Sequence, residues 1–197
     1  MPVNALAFIG PVLILAVIAS ALLSWPKPGG RIAIAACGGL AALIPIGQTT
    51  PAAFLLGTFG PVSAATMVFC GLYLYARIAG RRDRQLPSSA FLLCVVVTGA
   101  IFYPLCAGLT SFHPYDLGYR GLALPALMLV YVAIGWIARA PDIPCWVALA
   151  ALLFLLDAYN SRNLWDYLIF PFDLLAGATY LTIAVRRRRM AGSPHAA

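Results

Sequence analysis

The chain has 197 residues, of which 62% belong to the set AVILMFWYC and only 10% are charged, where a water-soluble domain carries about 25% charged residues. Mean hydropathy is +0.91, and the net charge of +7 comes from twelve arginines and one lysine against six aspartates, with no glutamate. This balance excludes a soluble globule and predicts an all-α integral membrane protein, because long continuous apolar runs select helices over barrels as the way to satisfy the backbone in lipid.

A helix rising about 1.5 Å per residue needs roughly 20 apolar residues to cross about 30 Å of hydrocarbon. The first predicted span runs from Ala5 to about Ser24 and is closed by the turn-forming stretch from Trp25 to Arg31. No charge precedes Lys27, so the segment reads as a retained span and not as a secretory signal. From Ile32 to Ala76 there are 45 residues without a charge, too many for one crossing. Two spans fit, Ile32 to about Gly47 and about Phe59 to Ala79, with Gln48 to Pro51 at the bend and 52–58 either an early helical turn or a re-entrant piece.

The stretch from Gly80 to Pro87 holds three arginines and an aspartate and reads as a loop. Further spans follow at Ala90 to about Leu109, Gly121 to Ala138, Cys145 to about Asp157, and Leu164 to Val185, where four consecutive arginines are expected to stop the last one. The sequence thus predicts a bundle of about seven transmembrane helices, one polytopic domain over 1–190 and a disordered cytoplasmic tail at 191–197.

An odd number of spans puts the ends on opposite sides, and the excess of basic residues on cytoplasmic loops chooses the orientation. With the N-terminus outside, eleven of the thirteen basic residues fall in the cytoplasm and only Arg120 and Arg162 outside, giving faces of about +9 and −2. The implied location is a bacterial-type inner membrane. Arginines at span ends favour contact with membrane lipids over nucleic acid.

Chemistry concentrates in the second half. Asp173 lies twelve residues from Val185, about 18 Å into the hydrocarbon by the helical rise. A carboxylate at such depth costs about 2.5 to 3.5 kcal/mol and needs a partner or a proton. Asp166 precedes it by seven residues and, on an unbroken helix, shares its face with Asp173, Gly177 and Tyr180. Asp157, Tyr159, Asn160, Arg162 and Asp166 crowd the connection before the last span, and His113, Asp116 and Arg120 occupy the aromatic loop after Leu109. The sharper reading makes Asp173, Asp157, Asp166 and His113 the groups that move protons. Arg120 and Arg162, which suit a phosphate or carboxylate headgroup, then bind substrate with Asp116, Asn160 and Tyr159. The blander reading is an interfacial hairpin with an aromatic belt, in which each arginine neutralises a nearby aspartate.

Five cysteines lack paired spacing, no histidine or cysteine cluster suggests zinc, and no glycine-rich phosphate loop is present, so no cofactor is expected. The stretch from Asn163 to Asp173 resembles the second aspartate region of bacterial lipoprotein signal peptidases, membrane enzymes that cleave lipid-modified substrates; the resemblance implies aspartate chemistry near the outer surface. It covers eleven of 197 residues, without that family's surrounding asparagine and aspartate–arginine pattern and with more spans, and does not assign the chain.

Three functions fit these residues. One is an enzyme or enzyme subunit handling an amphiphilic or lipid-linked envelope substrate. Another is a small-solute or proton-coupled transporter or channel using Asp173. The third is a structural or assembly subunit of a membrane complex, with a membrane partner or a second copy of itself.

Overall fold

A computed structural model describes residues 4–23, 27–80, 87–119 and 121–191, with side chains as far as Arg186. Among these residues the chain is helical, and its only strand-like pairing is an isolated bridge between Ile46 and Thr49. The helices are α1 (Ile9–Leu22, entered through a 3₁₀ turn at Ala5–Phe8), α2 (Pro28–Ala41), α3 (Pro51–Phe59), α4 (Ala64–Ala79), α5 (Ser89–Cys106), α6 (Ala123–Ile137), α7 (Asp142–Leu155), α8 (Trp165–Leu168) and α9 (Pro171–Ala191). A second 3₁₀ turn, Pro114–Gly118, lies between α5 and α6.

Three stretches are long and apolar enough to cross a membrane: Ala5–Leu22, Ser89–Cys106 and Trp165–Arg186. Ala64–Ala79, Ala123–Ile137 and Asp142–Leu155 are apolar but shorter. The all-helical expectation holds among the described residues, with these three stretches long and apolar enough to span a membrane.

Helix starts follow local chemistry. Thr50, Ser63 and Ser88 each accept a bond from the amide three residues on, from Ala53, Thr66 and Phe91 respectively, satisfying donors that have no partner inside the helix. Several boundaries differ from the predicted spans. α2 ends at Ala41, short of Gly47, and α4 begins at Ala64, past Phe59; between them, 52–58 lie in a separate nine-residue helix, α3, ended by Gly60 at φ 79°, a backbone conformation glycine adopts without a Cβ penalty. The last predicted span is broken, with Ile169 extended at φ −142° and ψ 146° between α8 and α9. Pro171 causes the break, since proline disfavours a helical residue before it and suits the first helical position itself. The four arginines do not stop α9, which continues to Ala191; arginine is a good helix former.

The helices pack through small residues. A Cβ on Gly38 would come within 2.4 Å of the Ala19 Cβ, so α1 and α2 approach closely. Leu174 sits against Gly99 and Gly177 against Val96 and Leu92, which sets α9 antiparallel to α5. Such contacts supply van der Waals packing where lipid offers no hydrophobic drive between helices. A continuous core forms around Trp146, Phe91, Leu92, Tyr167 and Leu168.

The connections gather at two ends. At one end Asn4 donates to the Asp157 carbonyl at 3.2 Å, Tyr159 donates to the Val62 carbonyl, and the Pro114–Gly118 turn bonds to 163–165. At the other, Arg77 donates to the carbonyls of Ser20 and Leu23, and Asp142 accepts from Ser88.

Candidate functional site

Asp173 is 1% exposed, in the first turn of α9. Its Oδ2 accepts from the Ser63 hydroxyl at 2.5 Å and from the Phe170 amide at 2.7 Å, and its Oδ1 accepts from the Thr66 hydroxyl. The Phe170 bond is the backward half of a capping box, in which the third helical residue satisfies the amide before the helix. The Ser63 and Thr66 bonds come from the first turn of α4. One carboxylate thus ties together the starts of α4 and α9. Both starts carry the positive end of a helix dipole, which favours an anion there.

The chain break at Ile169 takes backbone groups out of the helix ladder, and two of them find side-chain partners. The Phe170 amide goes to Asp173, and the Leu168 carbonyl accepts from the Trp146 indole at 2.7 Å. A buried polar backbone group left unmatched costs about 1–3 kcal/mol, so these two bonds offset part of the cost of interrupting the helix in an apolar setting.

The face expected to run from Asp166 through Asp173, Gly177 and Tyr180 does not exist as one surface, because the break separates α8 from α9. Nor is its lower part open. A Cβ on Gly177 would meet Val96 Cγ2 at 3.0 Å, and Tyr180 stacks on Phe69 with ring centres 5.8 Å apart. Below Asp173, α9 is closed by α4 and α5.

Asp166 belongs to a second arrangement. Its Oδ1 accepts from Tyr115 at 2.9 Å and its Oδ2 from Ser161 at 2.5 Å. Around it the 114–118 turn and 161–167 interlock. Buried Asn163 donates to the Tyr115 carbonyl and accepts the Trp165 amide, both at 3.0 Å, and the Trp165 indole donates to the Pro114 carbonyl at 2.9 Å. The Leu164 amide donates to the Gly118 carbonyl at 3.0 Å. Gly118 is required there, since a Cβ would fall 1.8 Å from Asn163 Oδ1. Tyr159 stacks on Tyr167 with centres 4.7 Å apart, and the Tyr167 hydroxyl donates to the Ser161 carbonyl at 3.0 Å. The loop after α5 packs directly on 163–165 through the Asn163, Leu164 and Trp165 bonds, and the Phe102 and Trp165 rings meet with centres 4.3 Å apart. Burial first, then the bond to Asp166, pushes the Tyr115 phenol above its ordinary range. Burial, then neighbouring Tyr167, does the same for Tyr159.

The other candidates stand apart. His113 and Asp116 are exposed at the start of the 3₁₀ turn, and Asp157, Asn160 and Arg162 are exposed in the connection after α7. Asp157 and Asn160 adopt φ of 48° and 53°, a left-handed conformation these residue types tolerate better than most. Arg120 lies outside the described residues, as do Arg81, Arg82, Asp83 and Arg84 and the tail from 192. Among the described residues, no aspartate forms an ion pair with Arg162; Asp166 is held by two hydroxyls instead. Nor does any group of three or more histidines, cysteines and acids come together among them to hold a metal.

The residues that the sequence reading missed are Ser63, Thr66, Tyr115, Ser161 and Asn163. Ser63 follows Gly60-Pro61 and precedes an apolar run, a helix-start signal. Asn163 and Tyr115 carry no local signal, since their contact joins positions 48 residues apart.

Compared with family models, with curated proteins and with solved structures, the chain matches none.

Proposed function

We propose that this chain is a structural or assembly subunit of a membrane complex, crossing the membrane seven times through α1, α2, α4, α5, α6, α7 and α9. In this reading Lys27, Arg31, Arg77, Arg139 and Arg186 face the cytoplasm of a bacterial-type inner membrane, and Asp116, Asp157 and Asp166 face outward, as the preference of basic residues for the cytoplasmic side requires. The observation that carries the functional part is the sealed Asp173. Its burial at 1% exposure, with donors on both oxygens, accounts for an intramembrane carboxylate without any reaction. Gly177 and Tyr180 packed below it weigh against a hydrated path to the basic end. The interlocked turn and connection give the outer end a fixed surface bearing His113, Asp116, Asp157, Asn160 and Arg162, suited to a protein partner.

A second reading, an enzyme or enzyme subunit handling a lipid-linked envelope substrate, draws on those same exposed polar residues beside the membrane. It needs Arg162 and Arg120 to hold a headgroup and an aspartate or His113 to move a proton.

Site-specific photocrosslinking in cells, with the probe at exposed Asn160, tests the proposal. A discrete protein adduct is expected; adducts to lipid alone would favour the enzyme reading. Proteoliposomes carrying an internal pH dye test the transporter alternative, and proton flux abolished by Asp173→Asn would overturn the structural reading.

A further inference from the structure

We propose that the face of α9 bearing Ala178, Thr179, Thr182, Ile183 and Arg186 binds an anionic phospholipid, with an acyl chain along the face and the phosphate on Arg186. The proposal rests on the membrane-spanning reading above. These residues, all on α9, line a shallow, open groove of about 370 Å³ along one helix face. The opposite face of α9 is committed to α5 through Leu174 and Gly177.

The groove wall is apolar despite its threonines. The Thr179 hydroxyl donates to the Leu175 carbonyl and the Thr182 hydroxyl to the Ala178 carbonyl, each at 2.8 Å, four residues back along the same helix. With those hydroxyls turned onto the backbone, the side chains present methyl groups to a hydrocarbon chain and need no polar partner. At the end of this apolar track stands the Arg186 guanidinium, whose fork of donors matches a phosphate.

Charge complementarity selects the occupant. Arg187, Arg188 and Arg189 follow directly in the sequence, and the described part of the same end of the bundle carries Lys27, Arg31, Arg77 and Arg139. The described carboxylate there, Asp142, has both oxygens taken by Ser88, at 2.6 Å from its amide and 2.8 Å from its hydroxyl. Four consecutive arginines at the end of a span form the kind of basic cluster that attracts anionic headgroups. A neutral apolar helix would leave the guanidinium without an anion. A diacyl lipid bearing one phosphate satisfies both parts of the groove.

Native mass spectrometry of the full chain, released from detergent containing equimolar phosphatidylglycerol and phosphatidylcholine, tests the proposal. The wild-type chain is expected to retain phosphatidylglycerol about fivefold over phosphatidylcholine. Arg186→Gln removes most of that preference and Arg186→Lys keeps it. Thr182→Phe, at an exposed position, fills the groove and lowers retention of bound lipid, and thermal melting of each variant verifies that it is folded. Equal retention of the two lipids by the wild type overturns the proposal. So does loss with Arg186→Gln but none with Thr182→Phe, which would mean attraction to the basic surface alone. Displacement of phosphatidylglycerol by inorganic phosphate at equal concentration would assign the site to free phosphate and overturn it too. Cysteine labelling from either side of the membrane checks the spanning reading separately, so its failure is distinguishable from failure of the lipid site.

Discussion

Replacing Asp173 by asparagine and by alanine separates a structural carboxylate from a working one. Asparagine is nearly isosteric. With its oxygen in the Oδ2 position it still accepts from Ser63 and Phe170, and its amide can donate to the Thr66 hydroxyl, which then acts as acceptor. What is lost is the added strength of bonds to a charge, offset by the smaller cost of burying a neutral group. The net change is expected to be within about 1 kcal/mol. Alanine leaves the Phe170 amide with no acceptor and forces both hydroxyls to find new ones. One buried and two half-buried donors at about 1–3 kcal/mol each, reduced because hydroxyls can turn to helix carbonyls, give a loss of about 3–5 kcal/mol. For a chain of this size that lowers the melting temperature by about 10 °C. Thermal melts of the purified variants in one detergent supply the comparison. An asparagine variant as unstable as the alanine variant would refute the reasoning, because the charge itself, and not the acceptor geometry, would then be what the fold requires.

Three further outcomes follow from the same packing. Gly118→Ala places a Cβ 1.8 Å from Asn163 Oδ1 and is expected to cost about 3 kcal/mol or more, with new protease cleavage between α5 and α6; an uncut loop would show that the interlock is dispensable. Gly177→Leu pushes α9 away from Val96 and Leu92 and should destabilise by about 2–3 kcal/mol, while Ala178→Leu, half-buried one residue on, should cost less, as measured by melting. Because burial, and then the Asp166 bond, raises the Tyr115 pKa above its ordinary 10.0, the unfolded chain releases that proton first. Its stabilising contribution is therefore complete below about pH 10 and is lost as pH rises from there towards the folded value; Tyr115→Phe should flatten the alkaline limb of a stability–pH curve, and an unchanged limb would count against the contact.

The sequence was most legible where hydropathy decides. The predicted boundaries at Ala90, Ala138 and Ala79 fall within a few residues of the ends of α5, α6 and α4. It was least legible inside uniformly apolar runs, where an interrupted helix and a continuous one have the same composition. The breaks before Ser63 and after Leu168 were nevertheless marked, by Gly60-Pro61 and by Pro171 with an aspartate two positions on. The depth of Asp173 on its span signals a group that needs a partner, and hydroxyls at the start of α4 supply it; Asp166, for which the sequence offers Arg162, is held by Tyr115 and Ser161 instead. Such pairings depend on how α4 meets α9 and how the 114–118 turn meets 161–167. Composition and spacing do not encode either.

The most direct test of a sealed, structural Asp173 is carbodiimide labelling of the folded protein, using one water-soluble and one lipid-soluble reagent, with adducts mapped by mass spectrometry. Exposed Asp116 and Asp157 are expected to react with the water-soluble reagent, while Asp173 reacts with neither until the protein is unfolded. An adduct on Asp173 in the folded state would contradict the account and restore that carboxylate as a site open to protons or substrate.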